Sequence, residues 1–88
     1  MSNLILYTRA GCCLCEGLEE RLRELGLPQP LRLVDVDSDP SLRARYGLSV
    51  PVLAVIEGEA NTLTALPPVP PRLKGEPLRA WLQRHIGV

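Results

Sequence analysis

A Cys-x-x-Cys motif lies where an apolar run meets a helical pattern, and this junction constrains the fold more than any other feature. The run 4–7, Leu-Ile-Leu-Tyr, is typical of a buried strand, and leucines at helical spacing follow from residue 14 to residue 25. Gly11 separates the two patterns, so Cys12 and Cys15 fall at the start of the helix. A thiol there faces free backbone N–H groups and the positive end of the helix dipole, which favour thiolate over thiol. The sequence therefore predicts a strand–turn–helix unit that carries a reactive dithiol.

The rest of the chain continues the alternation of strands and helices. We expect strands at 3–8, 31–36, 50–56 and 61–66. We expect helices at 12–25, 40–46 and from Glu76 onward. A short helical crossover pairs the first two strands in parallel, and the later hairpin is antiparallel. The prediction is an α/β fold of order β-α-β-α-β-β-α, with a four-stranded mixed sheet flanked by helices, in one domain spanning 1–88.

Composition limits the partners and the cellular location of the chain. Its 10 basic and 10 acidic residues cancel, so the charge offers no footprint for nucleic acid or an anionic membrane. Its apolar runs are much shorter than the roughly 20 residues that span a bilayer. The start, Met-Ser-Asn, lacks the basic and apolar regions of a signal peptide. We expect a cytoplasmic monomer with no nucleic-acid or membrane partner.

The three cysteines have different expected roles. In a reducing cytosol a Cys-x-x-Cys is more often catalytic or metal-binding than structural. A closed zinc site usually needs four ligands, and only the distant His85 could complete this set, so we predict no metal site. Cys12, nearer the helix start, is the predicted nucleophile, and Cys15, about one turn on, is the predicted resolving thiol. Cys13 lies about 100° around the helix and is expected to fill space, with a spare or oxidisable thiol as the alternatives.

Two further features bear on the predicted site. Arg9, three residues before Cys12, favours the thiolate if its side chain turns inward, whereas Glu16 opposes it. Val50-Pro51 begins a predicted strand. Its proline either marks the start of an edge strand, where proline is tolerated, or belongs to a cis bond that presents the Val50 backbone beside the cysteines.

The acidic and proline-rich segments receive structural interpretations. The acids of 35–39 have the spacing of calcium ligands, but Pro40 stands where such a loop requires glycine. Helix capping, with Asp39 as N-cap, explains them better. Residues 67–71 are Pro-Pro-Val-Pro-Pro, which cannot lie inside a sheet and is interpreted as a stiff connector.

Three segments in this order resemble glutaredoxin. They are Tyr7–Cys15, Ser49–Pro51 and Gly75 before the last helix. Over nearly its full length, the chain is similar to small bacterial glutaredoxin-like proteins of a family catalogued as a domain of unknown function. The matching features are Val-Asp-Val-Asp at 34–37 and the segment from Tyr46-Gly47 to Val-Pro-Val at 50–52.

This resemblance implies a thioredoxin-like fold and a thiol–disulfide oxidoreductase of cell redox homeostasis. Cys12 would attack, Cys15 would resolve, and the Val50–Pro51 bond would be cis. Arg9 would help to hold glutathione, and the Val50 backbone would pair with the cysteine of glutathione. The expected partner is a protein disulfide or a glutathione mixed disulfide, with no cofactor beyond glutathione as a co-substrate. Two alternatives stay open: a binding module of the same fold without catalysis, and iron–sulfur or metal handling through Cys12.

Overall fold

The computed structural model of the chain describes residues 3–58, 60 and 62–86. The strands in this part of the chain are β1 Asn3–Thr8, β2 Leu31–Asp35, β3 Val52–Glu57 and β4 Thr62–Ala65. The helices among the same residues are α1 Cys13–Glu24, α2 Pro40–Tyr46 and α3 Gly75–Ile86, with a 3-10 turn at Val36–Ser38. None of these helices has the length and apolar character needed to cross a membrane.

The four strands form one mixed sheet in the order β2-β1-β3-β4. β1 runs parallel to β2, with Leu4 opposite Leu31, and antiparallel to β3, with Leu6 opposite Leu53. β4 completes the hairpin with β3. The predicted mixed sheet and its parallel and antiparallel pairings are confirmed. β1 lies at the centre of the sheet, so the turn that follows it is held between neighbours on both sides.

Side chains of β1 alternate between two apolar layers, because successive residues of a strand point to opposite faces. Leu4 and Leu6 pack in a cluster with the buried leucines of α1 and α3. Ile5 and Tyr7 pack on the other face, against side chains of α2. The sheet is therefore covered on both faces, by α1 and α3 on one side and by α2 on the other.

Tyr7 stacks on Tyr46 of α2, with ring centroids 4.7 Å apart. Desolvation by burial raises the pKa of Tyr7 above its ordinary value of 10.0. The neighbouring Tyr46 adds to this rise, and the positive charge of Arg45 opposes it. The stacked pair fixes the end of α2 beside the end of β1.

The bounds of five elements, α1, β2, β3, β4 and α3, differ by one or two residues from those predicted, and the differences in β3 and β2 have local reasons. β3 begins at Val52, two residues later than expected, because the Val50 N–H donates to the Tyr46 carbonyl at 3.1 Å and Pro51 has no N–H. β2 ends at Asp35, where a 3-10 turn begins. The expected fourth strand began at residue 61, which lies outside the described residues.

The acidic segment after β2 caps helices, as predicted. The Asp35 carboxylate accepts a hydrogen bond from the Asp37 N–H at 2.9 Å. Asp39, the N-cap of α2, accepts one from the Ser41 N–H at 2.8 Å, and Pro40 follows it at the first helical position. These carboxylates position α2 close to the end of β1.

Candidate functional site

The cysteine pair lies at the N-terminus of α1, directly after the central strand. Gly11 has a φ of +78°, a conformation that side chains disfavour, and this lets the chain turn from β1 into the helix. Cys12 is the N-cap, and its backbone N–H donates to the Arg9 carbonyl at 3.1 Å. Its Sγ accepts a hydrogen bond from the Cys15 N–H at 3.1 Å. A donor at that position stabilises negative charge on the sulfur.

The two sulfurs of the pair differ in accessibility. Cys12 and Cys15 are joined as a disulfide, with their Cα atoms 5.2 Å apart. Cys12 is half-buried, whereas Cys15 is only 2% exposed and belongs to the core. Cys12 is therefore the more accessible of the two cysteines to an incoming thiolate or disulfide.

Cys13 is a free, exposed thiol. The expectation that it fills space is therefore wrong, because its side chain is exposed to solvent instead of packing in the core. The helical spacing gave its angle relative to Cys12, but the side of the helix that faces solvent depends on how α1 packs.

Arg9 ties the cysteine turn to the segment that precedes Pro51. Its Nε donates to Asp37 Oδ2 at 3.0 Å, and its Nη1 donates to the Gly47 carbonyl at 3.1 Å. Arg43 approaches the other oxygen of the same carboxylate at 3.7 Å. The guanidinium thus faces α2 and its flanking loop, and the predicted role of Arg9 in holding glutathione stays a prediction.

The Val50–Pro51 bond is cis, as the resemblance implied. The Val50 amide is engaged within the chain, because it donates to the Tyr46 carbonyl. Pairing of the Val50 backbone with a substrate therefore stays a prediction, and the group that would pair is the Val50 carbonyl. Pro51 itself faces a groove next to α1.

A groove of about 220 Å³ separates α1 from the proline-rich segment. We call it the proline groove. Its lining residues are Leu14, Leu18, Arg21, Ser49, Pro51, Pro68, Val69 and Pro71. All of them except Arg21 and Ser49 are apolar, and Leu14 stands between the two paired cysteines in the sequence. The groove is therefore mostly apolar, and through Leu14 it reaches the first turn of α1, where the cysteine pair lies.

Arg21 is a site residue that the sequence analysis missed. Its Nη1 donates to the Leu73 carbonyl at 2.6 Å and to the Pro70 carbonyl at 3.4 Å, while its Nε donates to the Gly17 carbonyl at 3.2 Å. These bonds fasten the proline-rich segment to α1. No local sequence pattern predicts these contacts, because the carbonyls that accept from Arg21 lie about 50 residues further along the chain.

Comparisons with known proteins identify the family. The sequence matches the glutaredoxin-like domain (DUF836) over residues 3–83. The X-ray structure of protein XcR50 from X. campestris is 32% identical, with 92% of this chain and 96% of that chain covered and a TM-score of 0.62. The solution structure of XcR50 is 30% identical, with 93% and 94% covered and a TM-score of 0.60.

A third structure is similar in fold alone. It is described as a malarial protein and is 18% identical, with 98% of each chain covered and a TM-score of 0.59. A search of curated proteins gave no significant match. From the family match and the sheet topology, the chain belongs to the glutaredoxin-like domain family (DUF836) and has a thioredoxin-like fold.

Proposed function

We propose that this protein is a thiol–disulfide oxidoreductase in which Cys12 is the nucleophile and Cys15 the resolving thiol. The observation that carries the proposal is the asymmetry of the pair. Cys12 is half-buried and its sulfur accepts a hydrogen bond from the Cys15 N–H, whereas Cys15 is buried. A nucleophile needs access and a stabilised anion, and a resolving thiol needs only to reach its partner.

The reaction proceeds by two exchanges at the Cys12 sulfur. In the reduced protein, the Cys12 thiolate attacks one sulfur of a substrate disulfide, and the other sulfur leaves as a thiolate that takes up a proton. Cys15 then loses its proton and attacks Cys12, which closes the Cys12–Cys15 disulfide and releases the second substrate thiol. One disulfide is reduced to two thiols, and one dithiol is oxidised. A thiol reductant, such as glutathione or another dithiol protein, restores the reduced pair.

The substrates of this activity are protein disulfides or glutathione mixed disulfides, and its setting is the reducing cytoplasm, where it serves redox homeostasis. Glutathione would act as a co-substrate rather than as a resident cofactor. The turn that joins β1 to α1 supports such an exchange, because it holds Cys12 at a helix N-terminus. Leu14, in the first turn of the same helix, lines the proline groove.

Single cysteine variants test the two roles. The reduced protein is mixed with bis(2-hydroxyethyl) disulfide, and the reaction is quenched in acid after successive times. The mass of the protein is then measured by mass spectrometry. We expect the wild-type protein and the control Cys13→Ser to form the intramolecular disulfide. We expect Cys15→Ser to stop at a mixed disulfide on Cys12, and Cys12→Ser to react far more slowly. Reaction of Cys12→Ser at the wild-type rate would contradict the proposal.

The same experiment separates the proposal from one alternative, and a second experiment tests the other. Three thiols that stay free in the wild-type protein would favour a binding module of this fold without catalysis. Metal or iron–sulfur handling through Cys12 requires a different test, anaerobic reconstitution with iron and sulfide, in which absorbance from a cluster that depends on Cys12 would support it.

A further inference from the structure

We propose that the substrate of Cys12 is a disulfide in an extended segment of a protein, with apolar residues beside the cysteine and a basic residue beyond them, rather than glutathione. This inference rests on the proposed function and specifies its substrate class. It combines three observations: an apolar groove, arginines already engaged within the chain, and an acidic helix face.

Exposed leucines lie in and beside the proline groove. Leu14, between the two cysteines, is 62% exposed, and Leu48, in the loop before Pro51, is fully exposed at 100%. Leu14 and Pro51 both line the proline groove, and Leu48 directly precedes Ser49, another lining residue. An apolar groove that continues into exposed apolar side chains is a candidate binding surface. A peptide strand with apolar residues would cover them, whereas glutathione has no large apolar side chain.

The arginines at the site are engaged with groups of the protein itself. Glutathione carries two carboxylates, and a site that selects it needs cationic or N–H partners for them. In the proline groove the charged lining residue is Arg21, and its guanidinium donates to three backbone carbonyls. Arg9 donates to Asp37 and to the Gly47 carbonyl. A bound carboxylate would have to compete with these contacts.

The other side of the cysteine turn is acidic. We call Glu16, Glu19, Glu20 and Glu24 with Arg23 the acidic face; together they surround one surface depression on α1. Arg23 is paired with Glu19 at 2.8 Å, which leaves an excess of negative charge. Glu16 and Glu19 also line a second depression, of about 240 Å³, that reaches Gly11 and Cys15. This charge is complementary to a basic partner and repels an anionic one.

Matched disulfides test the substrate class. Peptides with one cysteine, and glutathione itself, are prepared as mixed disulfides with thionitrobenzoate, so every substrate has the same leaving group. One peptide has apolar residues at the cysteine and two lysines beyond them, a second replaces the lysines with glutamates, and a third replaces the apolar residues with serines. Stopped-flow absorbance gives the rate constant for attack by the reduced protein. Each value is divided by the rate constant for dithiothreitol, which removes differences in intrinsic reactivity.

We expect the apolar, basic peptide to react about tenfold faster than glutathione and than the acidic peptide, and this advantage to shrink as salt is added. Leu14→Ser should slow the apolar peptides but not the serine peptide. The control Leu63→Ser changes a leucine of similar character, 44% exposed on β4, and should leave every rate unchanged. Glu16→Gln should reduce the preference for lysine over glutamate.

The outcomes distinguish this inference from the function on which it rests. If glutathione reacts as fast as the apolar, basic peptide or faster, the substrate inference is wrong and the oxidoreductase stands. Equal effects of Leu14→Ser and Leu63→Ser on the apolar peptides would also overturn the inference. If no substrate reacts faster with the protein than with a simple thiol, the proposed function fails as well.

Discussion

Replacement of Arg21 by methionine tests whether the proline-rich segment is fastened to α1 by one guanidinium. Methionine keeps an unbranched apolar stem and removes the donors. The Gly17 carbonyl has an ordinary helical partner, and the Pro70 carbonyl also accepts from the Leu73 N–H at 3.1 Å. The main loss is therefore the 2.6 Å bond to the Leu73 carbonyl.

The size of the effect follows from that one bond. A hydrogen bond from a charged group contributes about 1.5–3 kcal/mol, and partial exposure of this carbonyl favours the lower end, about 1.5 kcal/mol. For a domain of this size, that loss lowers Tm by roughly 6–12 °C. Arg23→Met is the matched control, since Arg23 lies on the same helix and pairs with Glu19 in an exposed i,i+4 contact. Such a pair contributes about 0.3–0.5 kcal/mol.

Urea unfolding followed by fluorescence measures both variants. Trp81 is the only tryptophan and packs against the core, so its emission reports on folding. Both variants are compared in the oxidised state, which keeps the contribution of the disulfide constant. Equal unfolding free energies for Arg21→Met and Arg23→Met would refute the argument that the contact with the proline-rich segment stabilises the fold.

Three further predictions concern other parts of the structure. Leu22→Ala, in the core, should lower the free energy of unfolding by about 2–5 kcal/mol, whereas the exposed Leu14→Ala should change it by less than about 0.5 kcal/mol. Similar urea midpoints for the two variants would contradict the burial of Leu22 in the core. Asp39→Ala removes the cap of α2 and should cost about 1 kcal/mol in the same assay, with Asp39→Asn close to wild type. The raised pKa of Tyr7 means that the unfolded chain ionises first as pH rises, so the free energy of unfolding should fall from about pH 10 up to the raised folded pKa and then level off. Tyr7→Phe should lessen this fall in urea titrations at successive pH values, and an unchanged slope would contradict the assignment.

Local chemistry made much of the fold and part of the site predictable from the sequence. The junction of β1 and α1, the cap at Asp39 and the exclusion of the proline-rich segment from the sheet each depend on residues that are neighbours in the chain. The bonds of Arg9 to Gly47 and of Arg21 to Leu73 join residues 38 and 52 positions apart. Such contacts exist only once the sheet order has brought the loops together. For the same reason, periodicity could place Cys13 around the helix but could not tell that it faces solvent.

The exposed Cys13 gives the oxidised protein a unique point of attachment. The chain has three cysteines, and when Cys12 and Cys15 are bonded to each other a maleimide dye or spin label can react only at Cys13. The label then sits one residue from Cys12 and is bonded to neither sulfur of the disulfide. Reduction of the Cys12–Cys15 disulfide can therefore be followed as a change in the mobility of a spin label, or in the fluorescence intensity of a dye, attached to Cys13.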